Sequence, residues 1–230
     1  MGHAPGGVDV WWFEDVTAFV GTDDLLTPEE SSRAASFAFE QDRRRFVARR
    51  GLVKCLLAAQ LGCEPTEVVL GFNAYGKPSL ETGPYVFNTS SSGNSLLLAI
   101  GRRSEVGDIG VDLETMRPMP DALLIAQNFF THDEAAELGS LTGDERDQAF
   151  FNCWTRKEAL IKAVGSGVSF GLDRFSVTML PQESARIRQV DGRPTTWHLN
   201  AWSPSPQHIA ALATPIEPTE VRMHQIAVAT

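Results

Sequence analysis

The order of predicted elements constrains this chain most, because it repeats once along the sequence. A strand rich in β-branched and aromatic residues at 8–13 precedes a helix starting at Thr27, a long helix from about Asp42 to Gly62, and short strands near 68–72, 85–88 and 95–100. A strand at 109–113 begins a second series, with helices at 122–130 and 147–164 and strands near 175–180, 196–201 and 209–213. We therefore predict an α+β fold. The order suggests a duplicated unit, although no residue-level repeat is visible.

Composition excludes several classes of protein. The 230 residues are 43% hydrophobic and 21% charged, with a formal net charge of −9, which is typical of a globular protein and not of a disordered chain. The acidic balance argues against nonspecific binding to nucleic acid or to an anionic membrane. No apolar run approaches the roughly 20 residues of a membrane span. The residues before Val8 lack a basic, apolar leader, and the three cysteines have no metal-ligand spacing. We expect a cytoplasmic protein with reduced thiols.

Charge is unevenly distributed along the sequence. Arginine and lysine dominate between Arg33 and Lys54, whereas aspartate and glutamate dominate between Glu105 and Glu158. The first segment has the charge to hold a phosphate, and the second has the charge to hold a cation.

Two acidic residues end an apolar strand in the segment Gly110-Val111-Asp112-Leu113-Glu114. Residues two apart on a strand face the same side, with Cα atoms roughly 6–7 Å apart. A few carboxylate oxygens that leave room for phosphate and water suit Mg²⁺. Taken alone, the pattern is better explained as two acids on the solvated face of a half-buried strand.

A second candidate lies on the predicted helix 147–164, where Trp154, Glu158 and Lys162 recur every four residues. Taken alone, a Glu followed by a Lys four residues later is ordinary helix stabilisation of about 0.3–0.5 kcal/mol. Lysine is scarce, however: only Lys54, Lys77, Lys157 and Lys162 occur. Two of the four fall in this segment, which favours a functional role.

A third candidate combines a turn and a polar stretch. Gly76-Lys77-Pro78 predicts a turn that displays one lysine. Residues 90–94, which begin with three serines, predict a tight polar loop with donors for a phosphate. Both features also occur as plain structural turns.

In their order, these segments resemble Sfp-type 4′-phosphopantetheinyl transferases from about Pro28 to Ala213. The matching motifs are Gly76-Lys77-Pro78, the run 87–90, the run 110–114 and the Trp-x-x-Lys-Glu-Ala pattern beginning at Trp154. The resemblance implies a pseudo-twofold fold of two similar α/β halves with coenzyme A between them. Residues 1–106 would form the nucleotide side, and residues 107–230 would carry the magnesium-binding and catalytic helix. The implied reaction moves phosphopantetheine from coenzyme A to a serine of an acyl or peptidyl carrier protein.

The resemblance also assigns roles to individual residues. It implies Mg²⁺ ligands at Asp112, Glu114 and Glu158, with Glu158 as the general base. It places Lys157 and Lys162 near the pyrophosphate as catalytic and coenzyme-binding residues. The remaining residues implied for coenzyme A binding are Arg45, Gly76, Lys77, Pro78, Ser90, Ser91 and Asp112.

Three positions in two segments depart from the family pattern. Ser91 stands where a histidine is usual, which removes a charged donor to the 3′-phosphate and predicts binding about tenfold weaker. Glu30 and Arg33 replace lysines that touch the nucleotide, and Glu30 cannot take over that role.

The expected partners are carrier proteins and coenzyme A, and the resemblance implies a monomer. Because both the enzyme and such carriers are acidic, a local docking site is expected around Phe129, Phe130 and Arg117. The alternative is that both phenylalanines lie in the core. The alternative functions are a non-catalytic coenzyme A-binding module and a Mg²⁺-dependent phosphoanhydride hydrolase.

Overall fold

The computed structural model describes residues 6–165 and 170–226. The helices are α1 Pro28–Ala35, α2 Glu40–Leu61, α3 Arg103–Val106, α4 Ala122–Phe129, α5 His132–Gly139 and α6 Gly143–Val164. The strands are β1 Gly7–Phe13, β2 Leu70–Phe72, β3 Pro78–Leu80, β4 Tyr85–Ser92, β5 Ser95–Arg102, β6 Gly110–Thr115, β7 Phe175–Val177, β8 Ile187–Val190, β9 His198–Ser205, β10 His208–Thr214 and β11 Glu220–Ile226. None of the described helices is long and apolar enough to cross a bilayer.

Two units with the same topology follow each other along the chain. In the first, β1 pairs antiparallel with β5, which pairs antiparallel with β4. In the second, β6 pairs antiparallel with β10, which pairs antiparallel with β9. Each unit contains a 22-residue helix that ends at a left-handed glycine, Gly62 or Gly165, and a separate two-stranded sheet. The predicted α+β fold of two similar halves is confirmed.

The last described strand crosses back to the first unit. β11 pairs in parallel with β1, from Gly7 opposite Glu220 to Phe13 opposite Ile226. The sequence analysis did not predict this strand, whose residues are all exposed or half-buried. The sheet of the first unit therefore includes chain from both ends of the sequence.

A buried ion pair fixes α1 to α2 in the first unit. Thr27 and Glu30 form a capping box, in which each side chain accepts a hydrogen bond from the backbone N–H of the other. The Glu30 carboxylate also receives the Lys54 ammonium of α2 at 2.9 Å, and the Lys54 side chain is 1% exposed. Glu30, which departs from the family pattern, thus joins α1 to α2.

The second unit repeats this arrangement. Thr131 and Glu134 form a capping box at the start of α5. Glu134 receives the ammonium of Lys157 on α6 at 2.8 Å, with both side chains fully buried. The structure therefore reveals a residue-level repeat, a Thr-x-x-Glu box whose Glu pairs with a buried lysine of the long helix.

Glycine allows α6 to lie directly against β6. A Cβ atom at Gly110 would lie 2.1 Å from the carbonyl oxygen of Ala159 and 2.2 Å from the nitrogen of Ala163. Both contacts are with helix backbone, so only glycine permits this approach.

The apolar core occupies three layers. One cluster lies under α2 and one under α6. The third cluster joins the two main sheets, with members from β1, β5, β6 and β10 such as Val10, Leu97, Val111 and Leu212. This shared layer holds the edge of β4 beside β6.

The predicted polar loop at 90–94 is wrong, because β4 continues to Ser92 and only Gly93 and Asn94 form the turn. The serines remain in the strand because β6 satisfies their side chains. Ser92 Oγ accepts from the N–H of Thr115 at 3.1 Å and from its hydroxyl at 2.9 Å.

Candidate active site

Polar side chains join β4 to β6 where the two units meet. Asn88 accepts a hydrogen bond from the N–H of Val111 at 2.8 Å. Two residues further along β4, the Ser90 hydroxyl donates to Asp112 Oδ1 at 2.8 Å. Because strand residues alternate between faces, this side of β4 forms the junction with β6, and Thr89 and Ser91 project from the other side.

Lys162 of α6 completes the junction. Its ammonium lies 2.6 Å from Asp112 Oδ1 and donates to Ser90 Oγ at 2.9 Å. The side chain of Asp112 is 5% exposed, whereas that of Lys162 is 29% exposed. Three predicted site residues from three different elements therefore lie in direct contact.

The other two predicted carboxylates lie in the electrostatic field of Asp112. Burial, followed by the negative charge of Asp112, raises the pKa of Glu114 to about 7. The same two causes, in the same order, raise the pKa of Glu158, with Lys162 opposing them. Arg117 and Lys162 both lower the pKa of Glu114, but they do not cancel the effect of burial and of Asp112, so the negative charge of the group is incompletely compensated.

The donor set of this acidic group suits a divalent cation. The second oxygen of Asp112, Oδ2, is buried and has no hydrogen-bond partner, which is costly unless a cation or donor arrives. Within residues 6–165 and 170–226, however, no three His, Cys, Asp or Glu side chains are arranged to hold a metal ion. The three predicted ligands are thus not preassembled, and Lys162 occupies one side of Asp112. Mg²⁺ commonly takes only one or two carboxylates together with phosphate and water, so the residues fit it.

A cleft of about 290 Å³ separates the turn before β3 from α6, and we call it the helix cleft. The predicted turn residues Gly76, Lys77 and Pro78 line one wall, and Glu158 and Lys162 line the opposite wall. The structure therefore brings the two sequence motifs together across one opening.

A larger cleft of about 400 Å³, which we call the arginine cleft, lies on the other side of Thr89 and Pro78. Both residues line both clefts, so the openings are adjacent. The cationic residues of the arginine cleft are Arg45, Arg49 and Arg50 of α2, and the predicted residue Ser91 also lines it. Ser90 and Ser91, predicted to serve one ligand, thus face different surroundings.

Arg49 is a site residue to which the sequence analysis gave no role. Its Nε is buried without a hydrogen-bond partner, while its guanidinium donates to the carbonyl of Gly93. Burial and the neighbouring Arg45 lower the pKa of Arg49. An anion entering the arginine cleft would relieve both effects. The four-residue spacing of Arg45 and Arg49 on a helix was the available signal.

The structure does not bring Lys157 to either cleft. The position of this side chain does not agree with the predicted contact with pyrophosphate. Its ammonium is fully buried, pairs with Glu134 and donates to the carbonyls of Leu172 and Phe175. Adjacent helix residues point about 100° apart, so Lys157 faces the core of the second unit while Glu158 faces the cleft.

Lys77 lines the helix cleft, but its ammonium is engaged elsewhere. It donates to the carbonyls of Ile109 and Ala163 at 3.1 and 3.0 Å. A direct contact between this ammonium and a nucleotide, as the resemblance suggested, would require breaking those bonds.

The two candidate docking residues at the end of α4 differ in their exposure to solvent. Phe130 is 5% exposed and stacks on Phe150, with ring centroids 5.7 Å apart. Phe129 is 53% exposed. The core alternative is therefore correct for Phe130 and not for Phe129.

Comparison with known proteins identifies the family. A family model described as the 4′-phosphopantetheinyl transferase superfamily matches residues 108–213, and one described as 4′-phosphopantetheinyl transferase, N-terminal, matches residues 11–102. A putative 4′-phosphopantetheinyl transferase of Synechocystis is 36% identical over 83% of this chain and 75% of that protein. HetI, a 4′-phosphopantetheinyl transferase of Nostoc, is 35% identical over 82% and 78%. The Sfp transferase of Bacillus subtilis strain 168 is 29% identical over 73% and 72%.

The chain belongs to the 4′-phosphopantetheinyl transferase superfamily. The resemblance and the predicted class of reaction are confirmed at that level. Among solved structures, a holo-(acyl-carrier-protein) synthase of Bacillus anthracis in complex with coenzyme A is 20% identical and covers 47% of this chain and 95% of its own. Its TM-score is 0.39, too low to support a residue-by-residue comparison.

The first prediction separates the two lysines of α6. Lys157→Met should lower the free energy of unfolding by about 3–5 kcal/mol, because it leaves the buried Glu134 carboxylate without its cation. Adding Glu134→Gln should restore part of the loss, since a neutral amide still accepts hydrogen bonds. Lys162→Met should change stability less, because its head group reaches solvent. Urea unfolding of the four proteins measures this, and a Lys157→Met variant as stable as wild type would contradict it.

The second prediction concerns pH. Between the ordinary pKa of 4.5 and the raised value of about 7, the folded protein keeps a proton on Glu114 that the unfolded chain has released. The free energy of unfolding therefore falls as pH rises through this range. Glu114→Gln should be more stable than wild type at pH 8 by about 1 kcal/mol, a value reduced for solvent screening, and equally stable near pH 4.5.

Chemical denaturation in the presence of EDTA tests the pH prediction with both proteins free of metal. A Glu114→Gln difference that did not vary between pH 4.5 and pH 8 would show that the Glu114 proton is not linked to folding.

Proposed function

We propose that this chain works in the manner of the Sfp-type enzymes: it transfers 4′-phosphopantetheine from coenzyme A to a serine of an acyl or peptidyl carrier protein. The observation that carries the proposal is the contact of Ser90, Asp112 and Lys162 beside two adjoining clefts. One cleft is lined by arginines, and the other by Glu158 and Lys162. A long ligand with several phosphates, such as coenzyme A, would extend across both.

The arginine cleft supplies charge for the phosphate on the ribose. Arg45 is held in place by hydrogen bonds to Asn94 and Asp42 at 2.8 and 3.1 Å. Arg49 adds a second cation with an unused donor. An arginine bond to phosphate is charge-assisted, which offsets the charged donor missing at Ser91. The tenfold weaker binding expected from the sequence would then not arise.

Glu30 does not oppose this anion site, because its charge is already compensated. It pairs with Lys54 at 2.9 Å and with Arg50 at 3.2 Å. Arg33 lies over the ring of Phe46 at 5.4 Å, beside the cleft. The departure at Glu30 therefore serves the fold, and we assign it no contact with coenzyme A.

Glu158 is the general base of the proposed reaction. The carrier serine attacks the phosphorus bonded to pantetheine, its hydroxyl proton passes to Glu158 either directly or through one water, and a new phosphate ester bond forms as the bond to the adenosine bisphosphate breaks. Metal ligation lowers the pKa of a carboxylate, which would weaken it as a base. Here burial and Asp112 raise the pKa of Glu158, so the protein itself counteracts that effect.

Lys162 stabilises the leaving group. As the bond to the departing phosphate breaks, adenosine 3′,5′-bisphosphate gains negative charge, and an ammonium in the helix cleft lowers the energy of that state. Asp112 and Glu114, with Glu158, would hold Mg²⁺, which when bound neutralises charge on the pyrophosphate. Asp112 Oδ1 orients Lys162 through their ion pair at 2.6 Å.

The third prediction tests the reaction directly. The protein is incubated with coenzyme A, Mg²⁺ and an apo carrier protein, and the carrier is weighed by intact mass spectrometry. Wild type should add phosphopantetheine, and Asp112→Ala should not. Glu158→Gln should bind coenzyme A normally in calorimetry yet turn over about 10²–10⁴ times more slowly, as expected for loss of a general base.

Glu217→Gln serves as the control for loss of a carboxylate, because that side chain is 79% exposed and lines neither cleft. Full turnover by Glu158→Gln would exclude the base role. Bound coenzyme A without transfer to several carriers would favour a non-catalytic binding module. Release of adenosine bisphosphate without any carrier would favour a hydrolase.

Carrier docking is assigned to Phe129. It is exposed on α4, whereas Phe130 belongs to the core. Arg117 lies nearby in sequence, stacked over Phe151 at 5.5 Å, and offers a local positive charge to an acidic carrier.

The fourth prediction follows from that assignment. Phe129→Ala should raise the KM for the carrier about tenfold, as loss of an interface hot spot does, without changing the affinity for coenzyme A. Leu124→Ala is the control, because Leu124 is 60% exposed on the same helix but points about 140° away. An unchanged KM for Phe129→Ala would remove the docking assignment.

A further inference from the structure

The turn between β2 and β3 contacts the end of α6 through two side chains. Asn73 Nδ2 donates to the carbonyl of Gly165 at 2.9 Å. The Lys77 ammonium donates to the carbonyl of Ala163 at 3.0 Å. These carbonyls belong to the C-terminal end of the helix, where backbone oxygens have no partner within the helix and a cation is favoured by the helix dipole.

The turn is held rigid by its own hydrogen bonds. Asn73 Oδ1 accepts from the N–H groups of Tyr75 and Lys77, both at 2.9 Å. The backbone of Asn73 bonds to Lys77 and Gly76 at 3.0 Å. Gly76 has a φ of +80°, which glycine adopts without strain. These bonds fix the backbone from which the Lys77 side chain extends.

The same ammonium reaches the strand that carries Asp112. Lys77 Nζ donates to the carbonyl of Ile109 at 3.1 Å, directly before β6. Ile109 lies three residues before Asp112, and Ala163 follows Lys162. One cation thus joins the two backbone segments that bear the Asp112–Lys162 ion pair. Burial lowers the pKa of Lys77, whereas the nearby Asp108 raises it; the ammonium donates its hydrogen bonds to the two carbonyls.

We propose that Lys77 is a positioning residue: its ammonium holds the end of α6 and the start of β6 at the spacing that places Lys162 against Asp112, and it does not bind the nucleotide. The catalytic consequence rests on the proposed function. The turn to which the resemblance assigns coenzyme A binding also holds the end of the catalytic helix, so Asn73 and Lys77 connect the nucleotide side of the cleft to the reacting side.

The test compares Lys77→Met and Lys77→Arg with wild type. Loss of the ammonium should lower kcat about ten- to a hundredfold, the scale of an effect of about 1 Å on the geometry of a site. The KM and calorimetric Kd for coenzyme A should change less than about threefold, because no ligand contact is lost. Lys77→Arg, which keeps donors at the end of a long side chain, should recover part of kcat. Arg44→Met, the loss of an exposed cation on α2, should match wild type.

Hydrogen exchange provides a readout that does not depend on transfer activity. In Lys77→Met, the amides of the last turn of α6 should exchange faster than in wild type, because that turn opens more often. The amides of α2 should be unchanged. This result is obtained with the protein alone, so a failure of the proposed function would leave it intact.

Two results would overturn the inference. One is a large increase in the Kd for coenzyme A with normal kcat and normal exchange at the end of α6, which would show that Lys77 binds the nucleotide. The other is normal kcat, Kd and exchange together.

Asn73→Asp keeps the test decisive if Lys77→Met fails to fold. Aspartate retains the oxygen that organises the turn but lacks the amide donor to Gly165. Faster exchange in the last turn of α6, with a smaller loss of kcat, supports the inference. Unchanged exchange contradicts it.

Discussion

The close contact of α6 with β6 is the constraint on which the site depends. At Gly110 the helix backbone lies so near that no side chain atom fits between them. This closeness lets Lys162, near the end of the helix, reach Asp112, two residues along the strand from Gly110. The shared apolar layer between the main sheets then holds β4 beside β6, so Ser90 meets the same carboxylate. A packing contact thereby sets the geometry of a polar centre.

The lysines show how charge is used in this fold. Lys54 and Lys157 are buried in equivalent places of the two units, each paired with the glutamate of a capping box. Lys77 donates hydrogen bonds to backbone carbonyls, and Lys162 alone of the four lysines forms an ion pair with a predicted site carboxylate, Asp112. In the sequence, the scarcity of lysine favoured a functional role for Lys157 and Lys162. The structure supports that reasoning for Lys162 and not for Lys157. Buried lysines are costly unless paired, so a fold can keep a few of them for structural reasons.

The sequence predicted the units well where apolar periodicity decides structure, as in α2, α6 and β5. The predictions from sequence failed where the structure depends on side-chain contacts between residues that are distant in sequence. The length of β4 depends on two residues of β6, about twenty residues further along the chain. Asp112 accepts a hydrogen bond from Ser90, and Thr115 donates one to Ser92. The family resemblance placed Lys157 near the pyrophosphate, although Cys153 and Leu160 on its own side of the helix are buried. Helical spacing alone would have placed Lys157 in the core.

The uneven charge of the sequence becomes a gradient across the joined clefts. Arginines of α2 line one end, and Glu158, with Asp112 and Glu114 behind it, makes the other end acidic. A ligand that is anionic along its whole length is attracted to the arginines but repelled by the acids unless a cation accompanies it. Asp112 Oδ2 is buried without a hydrogen-bond partner, and burial with the charge of Asp112 raises the pKa of Glu114; a bound cation would relieve both effects. Under the proposed function, the nucleotide would bind through the arginines, whereas the pyrophosphate would be held favourably at the acidic end only together with a cation. In the proposed reaction, a metal would therefore matter more for the chemical step than for the recognition of the nucleotide.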